Sequence, residues 1–374
     1  MKVEFFKHNL GKEEKESLNK VLNSRFITTG PTTKNFEEVF AKYLRMKYCV
    51  GVSSWTSGNL ITLKALGIGQ GDEVITTPMS FIATSNTIIH AGATPVFVDV
   101  EAITGNIDVK LIERAITPKT KAIIPVHLYG QMCDMISISV IAKKHNLIII
   151  EDCAHCIEGM RDGIRPGQLS SAALFSFYAT KNITSGEGGA IVTNNSDLYE
   201  NLIKYRLHGM SAGAADRYSS RYQHWDMEIL GYKCNMSDIQ AALLIPQLRR
   251  IGDLQKKRQE IYEKYETEIA SLENVAYPRI LPDTKHAYHL FTIWVEPSKR
   301  DDIIFHLQKS NIGVTVNYKA IHLLSYYKNT FGLKRGMLPN AEKIGDSTIT
   351  LPLYPGLFYS ELDYVIDQLS RFYN

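Results

Sequence analysis

Long apolar runs are missing from this sequence. Its apolar stretches, such as AIIPV around Ile123 and LIIIED after Asn146, are strand-length, far short of the roughly 20 residues a membrane-spanning helix needs. The opening MKVEFFKHNLGKEEKE has no continuous apolar core and turns acidic at once. It does not read as a secretion signal, and a cytoplasmic location is expected. An excess of either charge is also lacking. The 42 Lys and Arg face 39 Asp and Glu, and the formal +3 is spread without a basic run or a basic and aromatic stripe. That balance argues against nucleic acid as a partner.

Cysteine is sparse and unpatterned. Cys49, Cys133, Cys153, Cys156 and Cys234 form an odd set with no framework spacing, as in a reducing compartment. A structural zinc on the CAHC pair would need two more ligands at compact spacing, and no second such pair exists, so no metal is expected. Two glycine signatures are absent as well. A phosphate loop places its glycines before the lysine, whereas here Gly186, Gly188 and Gly189 follow Lys181. No G-x-G-x-x-G follows the first strand and opens a helix; GIGQG, Gly67 to Gly71, ends one instead. Internal repeats and low-complexity segments are absent too.

What is present suits an ordinary globular protein. The 374 residues, 44% hydrophobic and 22% charged, can bury one large domain and a smaller one. Apolar spacing predicts a helix near Lys12–Leu22 and, after TTGP, another near Thr33–Leu44. Then YCVGVSS, EVITTP, TPVFVDV, KAIIPVHL and NLIIIED alternate with helix-length stretches, and ALFSF and GAIVTN follow. The pattern predicts an α/β fold: a mostly parallel sheet covered by helices on both faces. Beyond Met236 one long helical pattern runs to Leu272, followed by YHLFTIWV, IGVTVNY and a last helix near Glu361–Phe372. The expected division is a large α/β domain over 1–239, with N-terminal helices, and a smaller α+β domain over 240–374 that begins with the long connecting helix. Between Leu207 and Tyr232 lies a polar and aromatic stretch, either a functional loop or a surface one.

Chemistry gathers at two strand ends. LIIIED ends in Asp152, at the carboxyl edge of a buried strand where open α/β sheets collect ligands. Such an Asp equally caps a helix or takes a metal. His155 points into the same crevice or satisfies a helix start. Lys181, also just past a strand, brings an amine to the same rim. Pyridoxal phosphate chemistry uses this pair: the amine forms a Schiff base and the carboxylate keeps the pyridine nitrogen protonated. Ser53, Ser54, Thr56 and Ser57 lead straight into a helix, and Ser176 lies five residues before the lysine. These hydroxyls would serve a phosphate at a helix N-terminus, or else form an N-cap cluster with no ligand.

In order along the chain, GVSSWTSG, GDEVITTPMSFIATSN, GATPVFVDV, AIIPVHLYG, EDCAHC, SFYATKNITSGEGG and GYKCNMSDIQAA resemble the DegT/StrS-type sugar aminotransferases, of the aspartate aminotransferase fold (fold type I). The resemblance implies that Lys181 is the Schiff-base lysine of a pyridoxal 5'-phosphate enzyme and Asp152 its pyridinium partner. It implies that Phe81 stacks on the ring, that His155 lies near its phenolic oxygen, and that Thr56, Ser57 and Ser176 hold the phosphate. Asn235 would reach the phosphate bound to the other subunit of a homodimer.

The implied reaction moves an amino group, in this family usually from L-glutamate, to a keto carbon of a nucleotide-linked 6-deoxy sugar, as in surface polysaccharide or glycan biosynthesis. Related dehydratases carry histidine at the position of Lys181, so transamination is favoured. The chain departs from the family at Trp55, where a small residue is usual, at Tyr178, and at Asn317 before Tyr318. Trp55 either faces the core or narrows the acceptor pocket toward a small phosphorylated ketone. Tyr178 and Tyr318 are expected on the substrate side. Arg217 and Arg221, with Tyr218, Tyr222 and Trp225, would grip a phosphorylated or nucleotide-bearing acceptor. Other pyridoxal phosphate chemistry on the same two residues, or cofactor binding without turnover, are the competing readings.

Overall fold

Short β-rich runs divided by helix-length segments build the sheet that the alternation predicts. The computed structural model describes residues 1–210 and 224–373. Helices α1 (Lys12–Leu22) and α2 (Pro31–Leu44) lead into β1 (Tyr48–Val52), α3 (Trp55–Ala65), β2 (Glu73–Thr76), α4 (Ala83–Ala91) and β3 (Thr94–Phe97). There follow the single turn α5 (Val109–Ile112), β4 (Thr120–Ile124), α6 (Met135–Lys144), β5 (Ile148–Asp152), β6 (Met160–Arg161), β7 (Ala172–Ser176), β8 (Gly189–Thr193) and α7 (Ser196–Tyr205). The last third holds α8 (Asp238–Arg249), α9 (Ile251–Ile269), β9 (Thr284–Lys285), β10 (Phe291–Trp294), α10 (Arg300–Lys309), α11 (Ser325–Phe331), α12 (Pro339–Ser347), β11 (Thr348–Leu351) and α13 (Tyr359–Tyr373).

The main sheet has seven strands in the order β1-β8-β7-β5-β4-β2-β3. All its pairings are parallel except those of β8, which runs against both neighbours. Alternate residues bury on opposite faces. Val50, Val52, Ile150, Leu174 and Ile191 pack beneath α3, α4 and α7. Cys49, Ala173, Phe175 and Val192 pack beneath α2 and α8, and Ile149 beneath α6. Each such side chain contributes about 1.5–3 kcal/mol, so a one-residue slip of register is prohibited. A separate core gathers α9, α10, α13 and the antiparallel pair β10–β11, and Val3 from the N-terminus joins it. Among the described residues no helix is long and apolar enough to cross a membrane.

Two predicted elements differ. The long helical pattern after Met236 divides at Arg250, between α8 and α9. The Arg250 guanidinium is drawn to Glu14 at 2.6 Å and to the Asn9 carbonyl at 2.9 Å, and Gly252, a poor helix former, follows. IGVTVNY alternates like a strand but, among the described residues, forms only isolated bridges, Val3 with Ile312 and Thr315 with Thr350.

One distant carboxylate fastens the helical layer. Gly30, the N-cap of α2, has no side chain to bond the helix's free N–H groups. Asp238 does so from 208 residues away, accepting Gly30 N–H at 2.8 Å, Thr32 N–H at 3.1 Å, and the Thr33 N–H and hydroxyl at 2.8 and 2.7 Å. A β-carbon at position 30 would lie 2.8 Å from that carboxylate, so glycine is what lets it approach. Asp238→Ala therefore strands buried donors and should lower unfolding stability by about 2–4 kcal/mol in urea titration. A loss below about 0.5 kcal/mol, the size of an ordinary surface effect, would show that the cap contributes nothing.

Candidate active site

Strand register assembles the site. Across β7, β8 and β1, Ser176 pairs with Gly189 and Gly189 with Val52, while Asp152 on β5 pairs with Leu174 of β7. The carboxyl ends of β1, β5 and β7 therefore share one edge with the N-terminus of α3. A β-carbon on Gly189 would come within 2.7 Å of the Ser54 carbonyl carbon and the Trp55 nitrogen. This glycine admits the first turn of α3 to the sheet edge.

The loop bearing Lys181 is held at its root by Phe177. Its N–H donates to the Gly188 carbonyl at 2.9 Å, and its carbonyl accepts Ser185 N–H and the Thr184 hydroxyl, each at 3.0 Å. The Phe177 ring meets Phe36 and Phe40 edge-on, each at 5.5 Å. Lys181 N–H then bonds the Tyr178 carbonyl at 2.9 Å. The amine is thus presented by a closed loop on a packed aromatic base.

A cavity of about 530 Å³ opens at this edge. Of the residues expected from sequence, Trp55, Thr56, Phe81, Asp152, His155, Ser176, Tyr178, Lys181 and Tyr318 all line it. Ser57 and Asn235 do not. The Ser57 hydroxyl is engaged with Ser54 at 3.0 Å and Ser53 at 3.1 Å, and Asn235 bonds Thr29 and Lys233. Trp55 answers to both of its readings: the ring is 6% exposed and packs with the core, and it also lines the cavity. Its indole N–H is buried without a partner. Arg217, Tyr218, Arg221 and Tyr222 lie outside the described residues. Trp225 is half exposed, stacks on His224 at 5.2 Å and is not among the lining residues.

Burial sets the charges. The Asp152 carboxyl is pushed up by desolvation, opposed by the Ala154 N–H at 3.1 Å, the Thr84 hydroxyl at 2.8 Å and the charge of Lys181. Burial lowers the Lys181 ammonium to about 8, with Asp152 pulling the other way. His155 is driven well below its usual range by burial and then by Lys181, so it is neutral. Its Nδ1 accepts the Tyr129 N–H at 3.3 Å, so Nε2 carries the proton and donates to the Tyr318 hydroxyl at 3.0 Å. The phenolic proton of Tyr318 is then left to point elsewhere.

Behind Lys181 lies a buried polar chain that sequence reasoning missed. Asn182 donates to both Glu158 oxygens at 3.0 Å and to the Ala287 carbonyl at 2.8 Å, and its own oxygen accepts His289 Nδ1–H at 2.9 Å. The His289 ring lies 4.4 Å from that of His155. Thr84 was missed as well, although it stands three residues after Phe81 in a block already noticed. His127, Glu151 and Cys153 place ligand-type atoms close together, but hydrogen bonds close this cluster. His127 Nε2 donates to Glu151 at 2.8 Å, and the other Glu151 oxygen accepts Gly167 N–H at 2.8 Å and the Ser170 hydroxyl at 2.5 Å.

The donor set fits pyridoxal phosphate. The buried carboxylate is held above its usual range even with the charge of Lys181 beside it, and a pyridinium N–H would supply the further cationic partner that it calls for. The amine is partly neutral near physiological pH. Phe81 is 58% exposed beside the cavity, and the free N–H groups of the first turn of α3, with the exposed Thr56 hydroxyl, suit a phosphate.

Comparison with known proteins agrees. Residues 8–370 match the DegT/DnrJ/EryC1/StrS aminotransferase family. The chain is 42% identical over 364 residues to the spore coat polysaccharide biosynthesis protein SpsC of Bacillus subtilis, covering 96% of this chain and 94% of SpsC. Helicobacter pylori PseC, an aminotransferase involved in the biosynthesis of pseudoaminic acid, superposes with a TM-score of 0.93 at 30% identity, covering 99% of each chain. Streptococcus pneumoniae Spr1654 in its PLP form gives 0.92 at 32%, covering 99% of this chain and 98% of that one, and it is also known in a PMP form. The chain belongs to the DegT/DnrJ/EryC1/StrS aminotransferase family and is a pyridoxal phosphate-dependent aminotransferase of the sugar-modifying type.

Proposed function

We propose that this enzyme takes the amino group of L-glutamate and delivers it to the keto carbon of a nucleotide-linked 6-deoxy sugar, for a surface polysaccharide or glycan. The observation that carries the reading is the pair of buried groups at one sheet edge, Asp152 raised and Lys181 lowered toward neutrality, in a chain whose relatives include SpsC and PseC. Thr56, Ser176 and the N-terminus of α3 would hold the phosphate, Phe81 would pack against the ring, and Lys181 would supply the covalent link. The cofactor contributes an electron sink for the carbanion at the substrate carbon. Thr84 and the Ala154 N–H fix the Asp152 carboxylate, which would keep the pyridine nitrogen of the bound cofactor protonated. The Lys181 amine, lowered toward neutrality, would serve as the base that takes up and returns the proton at the substrate α-carbon. Tyr318, held by His155, offers its phenolic proton to an oxygen in the cavity. In this reading Asn235, which stands off its own chain's cavity, completes the site of the partner subunit in a homodimer.

A compact phosphorylated ketone is the second acceptor class, favoured by one observation: the bulky Trp55 lines the cavity. Profiling Trp55→Ala against both classes decides between them, because an unchanged range would remove Trp55 from acceptor choice.

Three further outcomes follow from the chemistry of this pair. Lys181→Ala should lose the yellow colour and its fixation by borohydride, with turnover down at least about a thousandfold. Colour that persists and is fixed by borohydride would place the covalent link elsewhere. Only the neutral amine attacks, so colour formation from apoenzyme and added pyridoxal phosphate should accelerate as pH rises, with a midpoint near 8. A midpoint at about 10.4 would mean that the amine behaves like a solvated lysine. Asp152→Asn should keep the colour yet slow both half-reactions about ten- to a hundredfold, the worth of one charge-assisted hydrogen bond. Unaltered rates would show the carboxylate to be a helix cap alone.

A further inference from the structure

Phe5 also lines the cavity, on a segment with no expected role. Its ring is partly buried but belongs to none of the apolar clusters among the described residues. The chain is fastened on both sides of it. Ahead, Val3 is 1% exposed in the second core, donates its N–H to the Asn311 carbonyl at 2.9 Å and accepts Gly313 N–H at 2.8 Å. Beyond, the Lys7 ammonium bonds Glu361 at 3.4 Å and lies 5.5 Å from the Tyr354 ring centre. Gly313 permits the approach, because a β-carbon there would lie 2.5 Å from the Phe5 nitrogen and 2.9 Å from its own β-carbon. Thr315, Asn317 and Tyr318, which follow Gly313 in the chain, line the same cavity. The N-terminal segment and residues 313–318 thus make one wall, built independently of the sheet edge that carries Asp152 and Lys181.

We infer that Phe5 is a specificity-determining residue whose ring packs against the ring system of the acceptor. This rests on the sugar-nucleotide reading given above. A half-exposed aromatic face rewards a partner with a flat or C–H-rich face, as a hexose ring or nucleobase has. L-Glutamate is acyclic and charged at both ends, so it presents no such face. Phe5 therefore favours the acceptor over the donor, and the residue nearest the start of the chain reads the larger of the two substrates.

The test separates the two half-reactions in the holoenzyme. L-Glutamate bleaches the enzyme. A panel of UDP- and dTDP-linked 4-keto-6-deoxyhexoses, or 2-oxoglutarate, then restores the colour. Phe5→Ala should raise the half-saturating concentration of the keto-sugar nucleotide about tenfold while leaving those of L-glutamate and 2-oxoglutarate unchanged. Calorimetric binding of the keto-sugar nucleotide to the bleached enzyme should weaken by the same factor. Phe5→Tyr should restore it, and Gly313→Ala, which pushes the segment away, should reproduce the loss. Equal acceptor constants in wild type and Phe5→Ala overturn the role of Phe5 and leave the sugar-nucleotide reading standing. A loss shared by glutamate and acceptor overturns it too, because that marks general damage. If no member of the panel recolours the wild-type enzyme, the sugar-nucleotide reading falls, and the inference with it.

Discussion

The burial of the Asp152 carboxylate at the end of β5 is the constraint on which the site depends. Removing such a group from water costs several kcal/mol unless hydrogen bonds and an opposite charge compensate. The compensation comes from separate elements: the Thr84 hydroxyl from α4, the Ala154 N–H from the turn after β5, and the Lys181 amine from the loop after β7. Each must arrive in place, so the order β1-β8-β7-β5 is a requirement of the chemistry as much as of the core. The charge left uncompensated is what a protonated pyridine ring would satisfy.

The glycine and polar blocks around the lysine work as joints. Gly189 admits the start of α3, and Gly188 and Phe177 close the loop that presents the amine. In NMSDIQ, Ser237 caps α8, Asp238 caps α2, and the Gln240 amide donates to the Glu187 carbonyl at 2.8 Å, tying α8 to the GEGG turn. One six-residue stretch therefore links two helices to the lysine loop. Its value is mechanical, because it fixes the helical layer against the sheet edge where the cofactor binds.

Much of this was legible along the chain. Strands β1 to β5, β7 and β8 stand where short apolar runs place them, because a strand-length apolar run is a local signal. Asp152 and Lys181 could be paired because each directly follows or ends such a run. The break at Arg250 was hidden: amphipathic spacing continues through it, and the pull comes from Glu14 at the other end of the chain. The Asn182–His289 bond was hidden for the same reason, since its partners are 107 residues apart.

Local pattern decided the fold class, the strand ends and the acid and amine placed on one rim, because apolar periodicity and strand termini are properties of neighbouring residues. Tertiary structure alone decided that His155 is the neutral tautomer donating to Tyr318 and that Phe5 stands in the cavity wall. Those outcomes depend on desolvation and on contacts between segments far apart in the chain. A side chain's charge state and its partner are set only when the chain has closed around it.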